Sequence, residues 1–304
     1  MGNINFELKS GDIFLYHGTH LISKLIRKFD GTEVNHASLY VGNNQVIEAK
    51  EGSSGVSKNS IYKSIENSKY IKVFRLKDET LDINPVLNVA NNFYLSPNRY
   101  GYEQIVLLAF IILINKALPT KTFRWIAKTI LERAAQIILK LTQNGKEVLI
   151  CSELVYRSYE EPYPGILKLN NWNTTKKINN LPKNVHPNSL YAQFSNLDFK
   201  KENTQEKLNI DKNTSIETIV KQTEEELKNS IEYLDNKELE KNIPNVDISE
   251  VENAFLLFAN QVNNQINKNE KSLKNFNTII ADFVTPGNLY NSSALNYIGE
   301  IKRV

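Results

Sequence analysis

The chain has 304 residues, 41% hydrophobic and 23% charged, with a formal net charge of +3. That length allows a large buried core, and so small a positive balance leaves no electrostatic footprint for nucleic acid. A single cysteine closes no internal disulfide, which excludes a cross-linked secreted scaffold and points to a reducing, cytoplasmic setting. The opening MGNINFELKSGD has no basic patch followed by an apolar stretch, so no secretory signal is expected. Phe6 stands where a myristoylation pattern requires Ser or Thr.

From residue 11 to 76 the chain reads as strand-rich. GDIFLYH, HASLYVG, QVIEA and YIKVFRL combine β-branched and aromatic residues with turn-prone Gly and Asn between them, and LISKLIRKF forms a short helix after the first. From Asn84 the apolar spacing becomes helical, with segments near 84–94, 102–117, 122–142 and 152–159. The longest apolar run, Ile105 to Ile114, is about half of what a membrane-crossing helix needs. After Lys200 the composition shifts to Lys, Glu and Asn, which marks a solvated linker or lid. Two more helices follow, near 216–234 and after Asp247 and Ser249, whose side chains are suited to N-caps. The expected organisation is an α+β catalytic domain over 1–200 with a helical insertion at about 84–146, then a helical C-terminal region or cap over 201–304. VTPGNLY at 284–290 echoes VHPNSLY at 185–191; the echo is either recurrent turn chemistry or a sign that the last twenty residues pack back on the core.

Cys151 stands in VLICSELVYRSY, where an apolar run meets a helix. At a helix start, unpaired backbone N–H groups and the helix dipole favour thiolate over thiol; the alternative is a small buried hydrophobe. A thiolate nucleophile needs a base. Of His17, His20, His36 and His186, only His36 lies in a strand beside other suggestive residues, with Glu48 on the hairpin return. His17 and His20 fall in a loop, exposed or lining a pocket. The hairpin geometry decides whether His36 and Glu48 meet. A two-residue NN loop sets Leu39 opposite Glu48 and sends the imidazole to the other side of the sheet, whereas an odd loop or bulge sets Ser38 opposite Glu48 and puts both groups on one face.

These residues resemble a known family. SGDIFLYHG, NHASLYVGNNQVIEA and ICSELVYRSY look like the permuted NlpC-type papain-like cysteine hydrolases, in particular the YiiX-like branch. In that family the histidine strand comes first, an acidic or polar residue follows on the next strand, and the cysteine helix comes last; His36, Glu48 and Cys151 match in order and context. Gly11-Asp12 matches as well, and HPNSLY or TPGNLY is similar to the Pro-containing segment after the cysteine helix. The resemblance covers roughly 10–76 and 148–200, matches 77–147 poorly, and says little about 201–283. It implies a circularly permuted papain-like core with an antiparallel sheet, and a bacterial source. The lecithin retinol acyltransferase group is a more distant likeness. There the third residue is usually a second histidine and the cysteine lies in an NCEHF context, and this chain departs on both counts.

The expected chemistry is acyl transfer through a thioester. Cys151 attacks an amide or ester carbonyl, His36 shuttles the proton, Glu48 orients His36, and water releases the acid. The Cys151 backbone N–H is the first oxyanion donor, with Tyr16 or Tyr102 as candidates for a second. No cofactor is implied, and one cysteine with scattered histidines offers no zinc-type ligand spacing. Substrates implied are a peptide, an acyl-amide or a lipid. The last is raised by the insertion, where 116–146 carries seven Lys or Arg against one acid, and where Phe123, Ile126, Ile130, Ala134, Ile137 and Leu141 recur at helical spacing. Such a segment, about 103–142, is suited to peripheral contact with an anionic membrane, or to burial as a helical hairpin with its charges solvated. The alternatives to a hydrolase are a lipid acyltransferase or phospholipase-like enzyme at a membrane surface, and a catalytically silent binding protein.

Overall fold

The computed structural model describes residues 5–49, 55–96, 99–100, 103–115, 120–169, 185–186, 188–194, 214–266, 276, 279–280 and 283–303. Its contacts divide the chain into two units, one of Met1–Gln104, Val148–Asn171 and Val284–Val304, the other of Ile105–Glu147 and Trp172–Phe283. Residues 105–147 share a unit with the C-terminal helices, where their apolar positions find partners, whereas residues 84–104 lie in the unit of the sheet.

The first unit is built on a six-stranded antiparallel sheet. Its strands are β1 (Ile13–Gly18), β2 (His36–Gly42), β3 (Gln45–Ala49), β4 (Val56–Ser60), β5 (Ser68–Leu76) and β6 (Leu295–Lys302), in the order β4-β3-β2-β1-β5-β6. Helix α1 (Leu21–Asp30) follows β1 and ends on Gly31, whose φ of 72° suits a left-handed C-cap. The one-turn α2 (Ile61–Ser64) follows β4, and α3 (Asn84–Leu95) follows β5. The last strand, β6, pairs with β5 from Tyr70↔Lys302 to Leu76↔Leu295, so the final residues of the chain form one edge of the sheet.

Strand alternation splits the sheet into two unlike faces. One carries Phe14, Tyr16, Tyr40, Val46, Ile71 and Val73, covered by Ile61 and Ile65 around α2. The other carries Ile13, Leu15, Ala37, Leu39 and Ile47, packed on Val86 and Ala90 of α3 and on Leu154, Val155 and Tyr159 of the helix that begins at Cys151. At the start of β1, Asp12 receives a two-pronged ion pair from Arg75, 2.7 Å from Nε and 2.8 Å from one terminal nitrogen. Beside it the Tyr159 hydroxyl donates to the Gly11 carbonyl. Gly11 has φ 93°, and a Cβ there would lie 2.4 Å from Ile83, which accounts for a glycine at this turn.

In the second unit, α4 (Glu103–Asn115) is buried at every position from Ile105 to Ile114, with Phe110 edge-on to Phe258 at 5.1 Å and stacked on Phe283 at 4.6 Å. Helix α5 (Lys121–Gln143) starts at Thr120, whose hydroxyl accepts from Phe123 N–H. It packs on the helices Ile216–Glu226, Ser230–Asp235 and Ile248–Ile266. Ile126, Ile130, Ala134, Ile137 and Leu141 are buried there. Lys128 pairs with Glu250 at 2.7 Å and Arg133 with Glu226 at 3.2 Å. Among the described residues, no helix is long and apolar enough to cross a membrane.

Candidate functional site

The β2–β3 hairpin solves the register question with two devices at once. Its turn is the two-residue Asn43-Asn44 pair, with φ of 53° and 56°, the left-handed conformation at both central positions that matches strand twist and that asparagine tolerates. Gly42 then pairs with Gln45, but the register shifts before Tyr40↔Val46 and Leu39↔Ile47, leaving Val41 as an extra residue on β2. One step further along that register sets Ser38 opposite Glu48. His36, Ser38 and Glu48 consequently share a face with Tyr16, which pairs with His36 on the neighbouring strand.

On that face His36 Nε2 lies 2.9 Å from Glu48 Oε2, with the imidazole 7% and the carboxylate 0% exposed. A carboxylate at this spacing accepts, so His36 presents Nε2–H to it and Nδ1 becomes the nitrogen that can take up a proton. The other carboxylate oxygen, Oε1, accepts from Asn59 Nδ2 at 3.0 Å, and the same amide reaches Ser57 Oγ at 2.7 Å.

Tyr16 packs edge-on against the His36 ring, with centroids 4.9 Å apart. Its hydroxyl sits 2.7 Å from both Ser38 Oγ and Ser64 Oγ. Burial pushes the Tyr16 phenol well above its ordinary range, and the Glu48 charge pushes it further, with Cys151 adding in the same direction. Tyr16 thus stays protonated and holds the imidazole from the side through a hydroxyl network anchored on β2 and α2. Tyr102 lies outside the described residues.

Cys151 is the first residue of α6 (Cys151–Glu160), a helix that packs on β2 and β3, and it is fully buried. Leu154 and Val155 of that helix pack with Ala37 and Leu39, on the face of the sheet opposite the one that carries His36 and Glu48. The next residue, Ser152, donates to the Val284 carbonyl at 2.8 Å, so the C-terminal return of the chain pins the first turn of α6.

The other histidines do different work. His17 is not in a loop but near the end of β1, where Nδ1 hydrogen-bonds the Glu33 carbonyl at 2.8 Å and the ring leans on Tyr70 at 4.6 Å. Burial lowers its pKa, and Arg27 adds to that. His20 is the exposed N-cap position of α1. His186 belongs to the second unit, where its Nδ1 accepts from Asn188 N–H at 3.1 Å. The sequence pattern singled out Ser38 only as a register position and did not single out Ser57, Asn59, Ser64 or Ser152. The available signal was the alternation of Ser57 and Asn59 in VSKNS, which becomes legible once that polar segment is recognised as the strand beside Glu48.

No protein-family model matches the chain, and no curated protein matches it. Among solved structures the chain is similar to the metalloprotein yiiX from Escherichia coli O157:H7, with 14% identity over 62% of this chain and 82% of that one, and a TM-score of 0.33. That is a weak likeness at the level of the fold. Among the described residues no group of three or more His, Cys, Asp or Glu side chains could hold a metal ion.

Proposed function

We propose that the chain is a thiol hydrolase that cleaves an amide or ester bond, with Cys151 as nucleophile, His36 as base and acid, and Glu48 as the residue that orients and charges His36. The observation that carries this reading is the buried 2.9 Å contact between His36 Nε2 and Glu48. A fully desolvated carboxylate against an imidazole stabilises the imidazolium that forms when a thiol gives up its proton.

The sulfur attacks the carbonyl carbon while its proton passes to His36 Nδ1. The tetrahedral oxyanion is held by backbone N–H groups at the start of α6, where the helix dipole favours negative charge. As the intermediate collapses, the C–N or C–O bond breaks and the departing amine or alcohol takes the proton from His36, leaving a thioester on Cys151. His36 then removes a proton from water, the hydroxide adds to the thioester, and the carboxylic acid leaves as the thiol is restored. Tyr16 acts beside the imidazole as a positioning residue.

Incubating the protein and its Cys151→Ala variant with a mixed lipid and peptide extract, and comparing products by mass spectrometry, tests the reading. Product formation by the wild type alone supports it, and the product identifies the acyl class. A second reading, a catalytically silent binding protein, draws on the complete burial of Cys151. Identical product lists from both proteins would favour it.

A further inference from the structure

The Glu48 carboxylate is fully buried, and Asn59 reaches it from β4, the strand on the other side of β3. Ser57 pairs with Glu48 and Asn59 with Val46, so the two β4 side chains stand on the face that carries Glu48. Asn59 Nδ2 is 3.0 Å from Glu48 Oε1, and Ser57 Oγ, 2.7 Å away, receives the same amide nitrogen and fixes its orientation. The assignment of Nδ2 to this side follows from chemistry, since an ionised carboxylate needs a donor.

Resting on the hydrolase reading, we infer that Asn59 is a positioning residue for the proposed reaction: it keeps Glu48 ionised and aimed at His36. Burying a carboxylate favours its neutral form unless donors compensate. Without Asn59, Glu48 shares its charge with fewer donors and binds a proton more readily. A neutral Glu48 no longer stabilises the imidazolium, so the effect reaches His36 and then the thiol without Asn59 touching either. Besides His36, the titratable group that registers the Glu48 charge is Tyr16, on β1, which that charge helps to keep protonated.

His36 can be titrated directly, whether or not the chain hydrolyses a substrate. In protein carrying ¹⁵N-labelled histidine, the His36 midpoint is followed by NMR in wild type, Glu48→Gln, Asn59→Ala and Asn59→Asp. Glu48→Gln defines the value with no charge at this position. Asn59→Ala is expected to move the midpoint down toward that value by roughly one pH unit. Asn59→Asp keeps the shape but places a second carboxylate against Glu48, so the two share a proton across the pH range in which the imidazole titrates. Asn59→Ser, which retains a smaller donor, is expected to fall between wild type and Asn59→Ala. Thermal unfolding of each variant checks that the hairpin is intact. A folded Asn59→Ala protein with a wild-type His36 midpoint would overturn the inference and leave the hydrolase reading standing. A lowered midpoint without hydrolysis by the wild type would retain the Asn59 role and remove the reaction.

Discussion

Glu48 stands one register step beyond the Leu39–Ile47 pair, and that step sets its carboxylate 2.9 Å from Nε2 of His36. Without the extra residue Val41, the two-residue turn would have placed Leu39 opposite Glu48 and the imidazole on the other side of the sheet. The charge partner of the histidine is therefore a consequence of a local irregularity in β2.

Replacing Glu48 by Gln keeps the size of the side chain and removes the charge. We expect hydrolysis to fall by about 10² to 10⁴-fold, the range that positioned acid–base groups contribute. The thermal midpoint is expected to change little, since the buried charge is removed together with its desolvation cost. Steady-state kinetics and a thermal scan on the same sample check this; unchanged turnover would remove Glu48 from the mechanism.

The turn makes a separate prediction. Asn44 has φ 56°, where β-branched residues are strained. Asn44→Val is expected to lose about 1–2 kcal/mol in urea unfolding, whereas Asn44→Gly is neutral or nearly so. Equal effects from the two substitutions would mean that the turn is not held as described.

Asp12 is 1% exposed and its partner Arg75 16% exposed at the side chain. Asp12→Ala leaves the guanidinium without its two-pronged partner, and a loss of roughly 3–5 kcal/mol in urea unfolding is expected. The double replacement Asp12→Ala with Arg75→Met is expected to recover part of it. Additive losses in the two single variants would show that the pair is not coupled.

Glu33 predicts the acid limb of stability. Burial alone would raise its pKa, but hydrogen bonds from Lys72, Tyr290 and Tyr70 prevail and bring it down to about 2 from its ordinary 4.5. Because the folded value lies below the unfolded one, its contribution is present above about pH 4.5 and is lost as pH falls toward 2. The carboxylate is 37% exposed, so solvent screens the effect and only its direction is used. Chemical unfolding at pH 6, 4 and 2.5 should show a shallower acid decline in Glu33→Gln than in wild type, and parallel curves would contradict this.

Much of this was legible in the chain itself. Alternating apolar residues marked β1, β2, β3 and β5, and the helical spacing from Asn84 marked α3 to α6, because both patterns are local. Strand β4 escaped notice because VSKNS is short and polar, with Val56 in the core and Asn59 turned to Glu48. Strand β6 escaped because LNYIGEIK is mostly solvent-facing and its partner β5 lies more than two hundred residues earlier. The grouping of residues 105–147 with the C-terminal helices was not legible, because composition registers solvent exposure, whereas Lys128 and Arg133 pair with Glu250 and Glu226 far along the chain.

The most direct test of the account is the pH dependence of Cys151 alkylation by iodoacetamide. With this single cysteine the measured rate reports one sulfur. Reactivity is expected to rise with a midpoint well below the free-thiol value of about 8.5, and His36→Ala is expected to return it to that value. A wild-type rate that follows ordinary thiol ionisation, unchanged when His36 is removed, would contradict the account.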